Sequence, residues 1–207
     1  MSRTPEEAYQ ELVRRTREAA VLSSCGSLLS WDESTYMPKH GSSHRGEQMG
    51  LLARLGHEMV TAPVVGELIT EVERSALVRN PESDAGANVR EMRRNYDRAV
   101  KVPARLVEEL ARVSTTAQAV WREARKGNDF ALFRPHLETL VKLLREKADA
   151  IGYAGSRYDA LLDEYEPGAT AADVTALFAN DVIGVAFHCL ASRNSDRLGR
   201  FSGARRS

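Results

Sequence analysis

Leu28-Leu29-Ser30-Trp31-Asp32-Glu33-Ser34-Thr35-Tyr36-Met37-Pro38 lies between two long helical patterns and decides how the chain is read. It holds one of only two tryptophans in a chain poor in aromatics. Pro38 cannot continue a helix, and it biases Met37 towards an extended backbone. The stretch is therefore expected to be a helix end and an ordered loop. Trp31 would be buried where several helices meet. A second, functional reading is that the loop lines a groove.

Upstream of it, Thr4, Pro5 and Glu7 make a capping box with a proline at the first helical position. Tyr9, Leu12, Val13, Thr16, Ala20, Ser23 and Ser27 then recur at a helical period. The stripe weakens towards its end, where small residues would let a neighbouring helix approach closely. Downstream, Ser42 or Ser43 opens a second helix with Met49, Leu52, Leu55 and Met59 on its face. Pro63 starts a third, carrying Val64, Val65, Leu68, Ile69 and Val72, and Asn80-Pro81 is the next break.

A fourth helix shows Val89, Met92, Tyr96 and Val100 among densely charged faces. The fifth runs from Pro103 to about Lys126, with Leu106, Val107, Leu110, Val113, Ala117, Val120 and Trp121 on one side, and Gly127 ends it. Asn128 is expected to cap the sixth, whose core face is Phe130, Phe133, Leu137, Leu140, Val141, Leu144, Ala148 and Ile151. Pro135 in its second turn implies a kink or a later start. Gly152 closes it. A short segment from Tyr158 to Glu164 precedes the turn Glu166-Pro167-Gly168. Thr170 then caps a last helix with Val174, Leu177 and Phe178 inward. No strand alternation competes, so the fold class is all-α, a bundle of long antiparallel helices of about 30 Å each.

The 207 residues carry 29 basic and 29 acidic side chains, a formal net charge of zero. That removes the electrostatic case for nucleic acid or an anionic membrane. No run of about 18 apolar residues exists to span a bilayer. The polar N-terminus lacks an apolar signal core. Cys25 and Cys189 form no C-x-x-C pair and suit a reducing cytoplasm. From Asp181 the character changes, and the last 15 residues, rich in Gly, Ser and Arg, are expected to be poorly ordered.

Chemistry is sparse. His57-Glu58 begins an H-E-x-x-H pattern, but Thr61 stands where the second histidine must be. His40 and His44 have i,i+4 spacing, yet Pro38, Gly41 and two serines argue for a solvated loop there. His136 and His188 are isolated. Asp32, Asp159, Asp163 and Glu164 sit beside aromatics, where capping or an arginine partner accounts for them as well as a groove does. The remaining Glu and Arg residues read as solvated helix faces with i,i+4 pairs.

The segment Leu29 to Pro38 resembles the N-terminal signature of the Taq-type thermostable carboxypeptidases, zinc metallocarboxypeptidases. Further segments match that family in order: Ala87 to Ala99, Lys101 to Leu110, Asn128 to Phe130, and Tyr158 to Gly168. The resemblance covers roughly residues 5 to 180. It implies an almost wholly helical peptidase with a deep groove. Its members release single C-terminal residues from peptides with broad specificity, disfavouring proline. It further implies zinc (or cobalt), held in full-length members by two histidines of an H-E-x-x-H helix and a downstream glutamate, with the motif glutamate as general base. The resemblance also implies a cytoplasmic location and, as is usual among members, a homodimer.

None of that apparatus maps onto these residues. No catalytic role and no metal ligand carries over, and the chain is expected to stop before the zinc motif and to be inactive alone. Residues 1–180 are expected to form the N-terminal helical region, with 181–207 an atypical tail. Trp31, Asp32, Thr35 and Met37 are the groove-shaping candidates, with Tyr158, Asp159 and Tyr165 behind them. The alternative is a non-catalytic helical module that binds peptide or pairs with a separate catalytic half. Helices meant for a missing half would leave apolar stripes in water.

Overall fold

Thr4 opens the first helix as its sequence requires. Its hydroxyl accepts from the Glu7 amide at 3.2 Å, and its own amide donates to the Glu7 carboxylate at 2.8 Å. The computed structural model describes residues 3–179. These belong to two units, one ending at Ile151 and the other starting at Gly152. The expected tail from Asp181, with His188 and Cys189, lies outside the described residues.

The first unit holds α1 (Pro5–Thr35), α2 (Ser42–Thr61), α3 (Pro63–Glu73), a 3-10 turn (Ala76–Val78), α4 (Asp84–Ala99), α5 (Ala104–Gly127) and α6 (Phe130–Ile151). No strand occurs among the described residues. Side-by-side contact runs α6, α5, α2, α1, with α3 and α4 packed at one end of α1. The long helices thus form a layer one helix thick. Its continuous core sits at that end, where Ala8 and Leu12 of α1 meet Val65, Leu68, Ile69 and Val72 of α3 and Val89 of α4. Tyr9, Met92 and Tyr96 pack against it.

A single layer cannot bury both of its faces. This corrects several expected core positions. Thr16, Ala20, Ser23 and Ser27 of α1 are exposed. So are Leu55 in α2, Trp121 in α5, and Phe130, Leu137, Val141 and Leu144 in α6. Val100, just past α4, is exposed too.

The tightest helix pair is α2 on α5, and it rests on glycine rather than on large apolar residues. A methyl group on Gly46 would sit 3.1 Å from Thr116 Cγ2 and 3.2 Å from the Arg112 carbonyl oxygen. One on Gly50 would sit 3.1 Å from the Glu108 carbonyl oxygen. Gly46 and Gly50 are four apart, so they share one face and bring the backbones together. Gly50→Leu should lower stability by about 1–2 kcal/mol, because overpacking outweighs the gain in helix propensity. Thermal unfolding by circular dichroism checks this, and an unchanged or higher midpoint would refute the close approach.

The junction of α5 and α6 differs from its expected caps. Asn128, at φ 52°, is the left-handed residue that closes α5, donating its amide back to Arg125. Asn tolerates that conformation where most residues do not. Asp129 takes the capping role, its carboxylate accepting from the Leu132 amide at 3.1 Å. Pro135 lies inside α6, which starts at Phe130 and not later.

The second unit contains α7 (Arg157–Leu162), a turn through Gly168 at φ 84°, and a helical stretch over 171–179. Thr170 and Asp173 cap that stretch reciprocally, by bonds of 2.9 and 3.2 Å. Leu177 and Phe178 are exposed rather than inward.

Several carboxylates are held ionised by these caps and pairs. Hydrogen bonds from Arg14, then Arg15, pull Glu11 from 4.5 down to about 2. Asp173 is lowered chiefly by the Thr170 hydroxyl. His57, half-buried in α2, is also lowered, by burial first, against the pull of its bond to the Val102 backbone. In each case the unfolded chain binds the proton more readily, so stability falls as the pH falls. The expected profile is stable near neutrality. It declines below about 6.5 as His57 takes up a proton, then again below about 4.5 as the carboxylates do. Urea midpoints from pH 8 to 3 check it, and a midpoint that rises on acidification would contradict the assignment.

Candidate functional site

The stretch from Leu28 to Pro38 is helical for most of its length. α1 continues through Trp31 to Thr35, against the expected loop. Pro38 constrains only Met37, leaving the preceding residues free to stay helical. The Ser34 and Thr35 hydroxyls donate back to the Ser30 and Trp31 carbonyls at 3.1 and 2.8 Å. The Tyr36 and Met37 amides both donate to the Asp32 carbonyl at 2.9 Å. A tight turn follows, with the Gly41 amide donating to the Pro38 carbonyl at 2.8 Å. Met37 folds over Gly41 so closely that a methyl group there would lie 3.0 Å from Met37 Cγ.

Trp31 is not buried. It is 55% exposed on the last turns of α1 and meets Tyr36 edge-on, ring centroids 5.6 Å apart. Among the described residues, no neighbouring helix covers that side of α1. The candidates Trp31, Asp32, Thr35 and Met37 therefore lie together at the end of α1, in and beside an open apolar surface.

Two arginines from other helices fix this end. Arg45 of α2 is buried. It donates to the Asp32 carboxylate at 2.6 Å, to Gln48 at 3.0 Å and, through Nη1, to the Leu29 carbonyl. Arg122 of α5 donates to the Glu33 carbonyl at 3.2 Å and to the Glu33 carboxylate at 3.1 Å. Glu33 is buried, and this pair is what makes its burial tolerable. The last turn of α1 carries no basic residue of its own. Arg45 and Arg122 supply the positive charge that a helix C-terminus favours.

Sequence reasoning missed Arg45, Glu33 and Arg122. Glu33 and Arg122 are 89 residues apart, with no pattern linking them. The Gly46-x-x-x-Gly50 spacing was a legible sign of close helix packing.

In the second unit, Tyr158 and Tyr165 are exposed. Asp159 accepts from the Ala171 amide at 2.8 Å and the Ser156 amide at 2.7 Å. These donors, Ala171 first, hold its carboxyl below the usual range and make it the tie between α7 and the segment after the turn. His44 lies within α2 rather than in a loop, exposed, with Nδ1 3.6 Å from Glu47. His57 has Thr61 one turn on, its hydroxyl donating to the His57 carbonyl at 2.7 Å. Among the described residues no three His, Cys, Asp or Glu side chains converge on a point. These residues do not fit a metal centre.

The described residues form a layer of helices, without strands and with an open apolar side, which is a helical scaffold, and its relatives are metallocarboxypeptidases. The chain belongs to the Carboxypeptidase Taq (M32) metallopeptidase family, whose sequence profile matches residues 11–183. Thermostable carboxypeptidase 1 of Thermus thermophilus is 45% identical over 185 residues, 85% of this chain and 36% of that protein. The crystal structure of BsuCP superposes with a TM-score of 0.77 at 30% identity, over 84% of this chain and 34% of the other. Trypanosoma cruzi metallocarboxypeptidase 1 gives 0.66 at 38% identity, over 84% and 35%. The chain spans about a third of the length of the curated relatives it matches. No helix among the described residues is long and apolar enough to cross a membrane.

Proposed function

We propose that this chain is the N-terminal helical part of a zinc metallocarboxypeptidase, and that alone it does not hydrolyse peptides. The observation carrying this is the family match over residues 11–183, set beside a 207-residue sequence with no H-E-x-x-H motif. The whole enzyme would release single C-terminal residues with broad specificity, use zinc or cobalt, and act as a cytoplasmic homodimer without nucleic-acid or membrane partners. Residues 1–180 form its N-terminal region, and 181–207 depart from it. Trp31, Asp32, Thr35 and Met37 are a wall of its substrate groove, with Tyr158, Asp159 and Tyr165 as lesser contributors. Exposure of Trp31 beside the arginine-held Asp32 supports this, since a binding surface needs accessible side chains on a rigid support. The open side of the helical layer also favours the second reading, a module that pairs with a separate catalytic half.

The test is a peptidase assay on the purified 207-residue chain, with a blocked dipeptide and added zinc or cobalt. Metal content is measured on the same sample. No turnover and no stoichiometric metal is the expected result. Metal-dependent release of the C-terminal residue would overturn it, and His40, His44, His57 and Glu58 would be the first positions to substitute.

A further inference from the structure

Among the described residues Glu33 is the only buried carboxylate, with its side chain 5% exposed. Its direction decides where its neighbours on α1 point. Successive residues of a helix are about 100° apart, so Trp31, two residues back, leaves α1 on nearly the opposite side. Glu33 is turned to Arg122 of α5, and Trp31 is turned outwards.

Arg122 holds Glu33 at two points, the carboxylate at 3.1 Å and the main-chain carbonyl at 3.2 Å. That carbonyl is left to accept because the Met37 amide, which a continued helix would send to it, donates to the Asp32 carbonyl instead. A bond to the carboxylate alone would let the end of α1 turn as the Glu33 side chain changes rotamer. The bond from the same guanidinium to the carbonyl ties the backbone itself. An apolar side chain at position 33 could fill the space in several orientations, whereas the ion pair requires one.

Resting on the reading of Trp31 as a wall of a peptide groove, we infer that Glu33 is a positioning residue for that wall. Its pair with Arg122 sets the rotation of the last turn of α1. It thereby sets the direction of Trp31 and of Tyr36, which packs edge-on against it. A buried ion pair replaced by apolar groups of similar volume often leaves stability unharmed while a fixed geometry is lost. Arg122, with 37% of its side chain exposed, turns to solvent once Glu33 is gone. Glu33→Leu therefore leaves the chain folded and Trp31 loosely oriented.

The experiment uses the full 207-residue chain with Trp121→Phe, which leaves Trp31 as its one tryptophan. Fluorotryptophan is incorporated, and its fluorine NMR signal is recorded beside a urea titration of the same sample. With Glu33 in place, Trp31 should give one sharp resonance. Glu33→Leu should broaden or split it without loss of the unfolding transition. Glu33→Gln keeps the shape and loses the charge, and should displace the resonance less. A resonance unchanged in both variants overturns the inference. Loss of folding in both does so too, because Glu33 would then serve stability alone. A blocked dipeptide added to the same samples tests the groove reading separately. No response of the Trp31 resonance to the dipeptide counts against the groove and leaves the result at Glu33 standing. A response that is the same with Glu33 and with leucine there, on an unchanged resonance, supports the groove and overturns the positioning role.

Discussion

Leu12→Ala lowers the free energy of unfolding by about 3 kcal/mol, the largest loss expected from any single truncation here. Leu12 is fully buried, and so are its surroundings in Leu68, Ile69 and Val72. Deleting three carbons there forfeits their transfer energy and leaves a cavity that a clamped three-helix junction cannot collapse into. The effect is large because Leu12 sits inside the continuous apolar cluster that joins α1, α3 and α4. The check is a urea titration followed by helical circular dichroism. The midpoint should drop with the slope unchanged. A loss under about 1 kcal/mol would mean that the junction is looser than its burial indicates.

Arg45→Ala is expected to cost about 2–3 kcal/mol, close behind. The substitution removes a bidentate-capable guanidinium from between two helices. It leaves the Asp32 carboxylate without its ion-pair partner and takes a donor from the Leu29 carbonyl. Asp32 keeps a relative side-chain exposure of 36%, so water recovers part of the loss. That is why the figure stays below the range for a wholly buried pair. Arg45→Lys should recover little, because a lysine cannot bridge the carboxylate, Gln48 and the Leu29 carbonyl together. Urea titration of both variants checks this, with the emission of the exposed Trp31 as a second readout. If Arg45→Ala proves neutral, the end of α1 is held by Arg122 alone.

The sequence patterns translated into helices wherever the signal was local. Thr4-Pro5-Glu7 gave a capping box, Pro63 started α3, and Thr170-Asp173 capped the stretch over 171–179. Periodicity named the buried face where several helices converge, as at Leu68, Ile69 and Leu106. It failed at Leu137, Leu144 and Leu177, because a helical stripe does not say whether a partner is present to cover it. Trp31 failed for the same reason. A large aromatic in an aromatic-poor chain suggested burial, but among the described residues no second layer of helices lies over it. The arginine contacts at the end of α1 were illegible because they join residues 13 and 89 positions apart. The family resemblance was legible in five ordered segments, and the match over 11–183 agrees with their span.

The helix α1 is 31 residues long, about 46 Å at 1.5 Å per residue. Its first turns are anchored by the apolar junction at Ala8 and Leu12, and its last turns by Arg45 and Arg122. Between them, around Val21 and Cys25, the helix is exposed. Its backbone amides therefore do not share one free energy of opening. Those near Leu12 exchange with solvent only when the whole unit unfolds. Those in the middle turns open by local fraying, within what looks like one rigid rod.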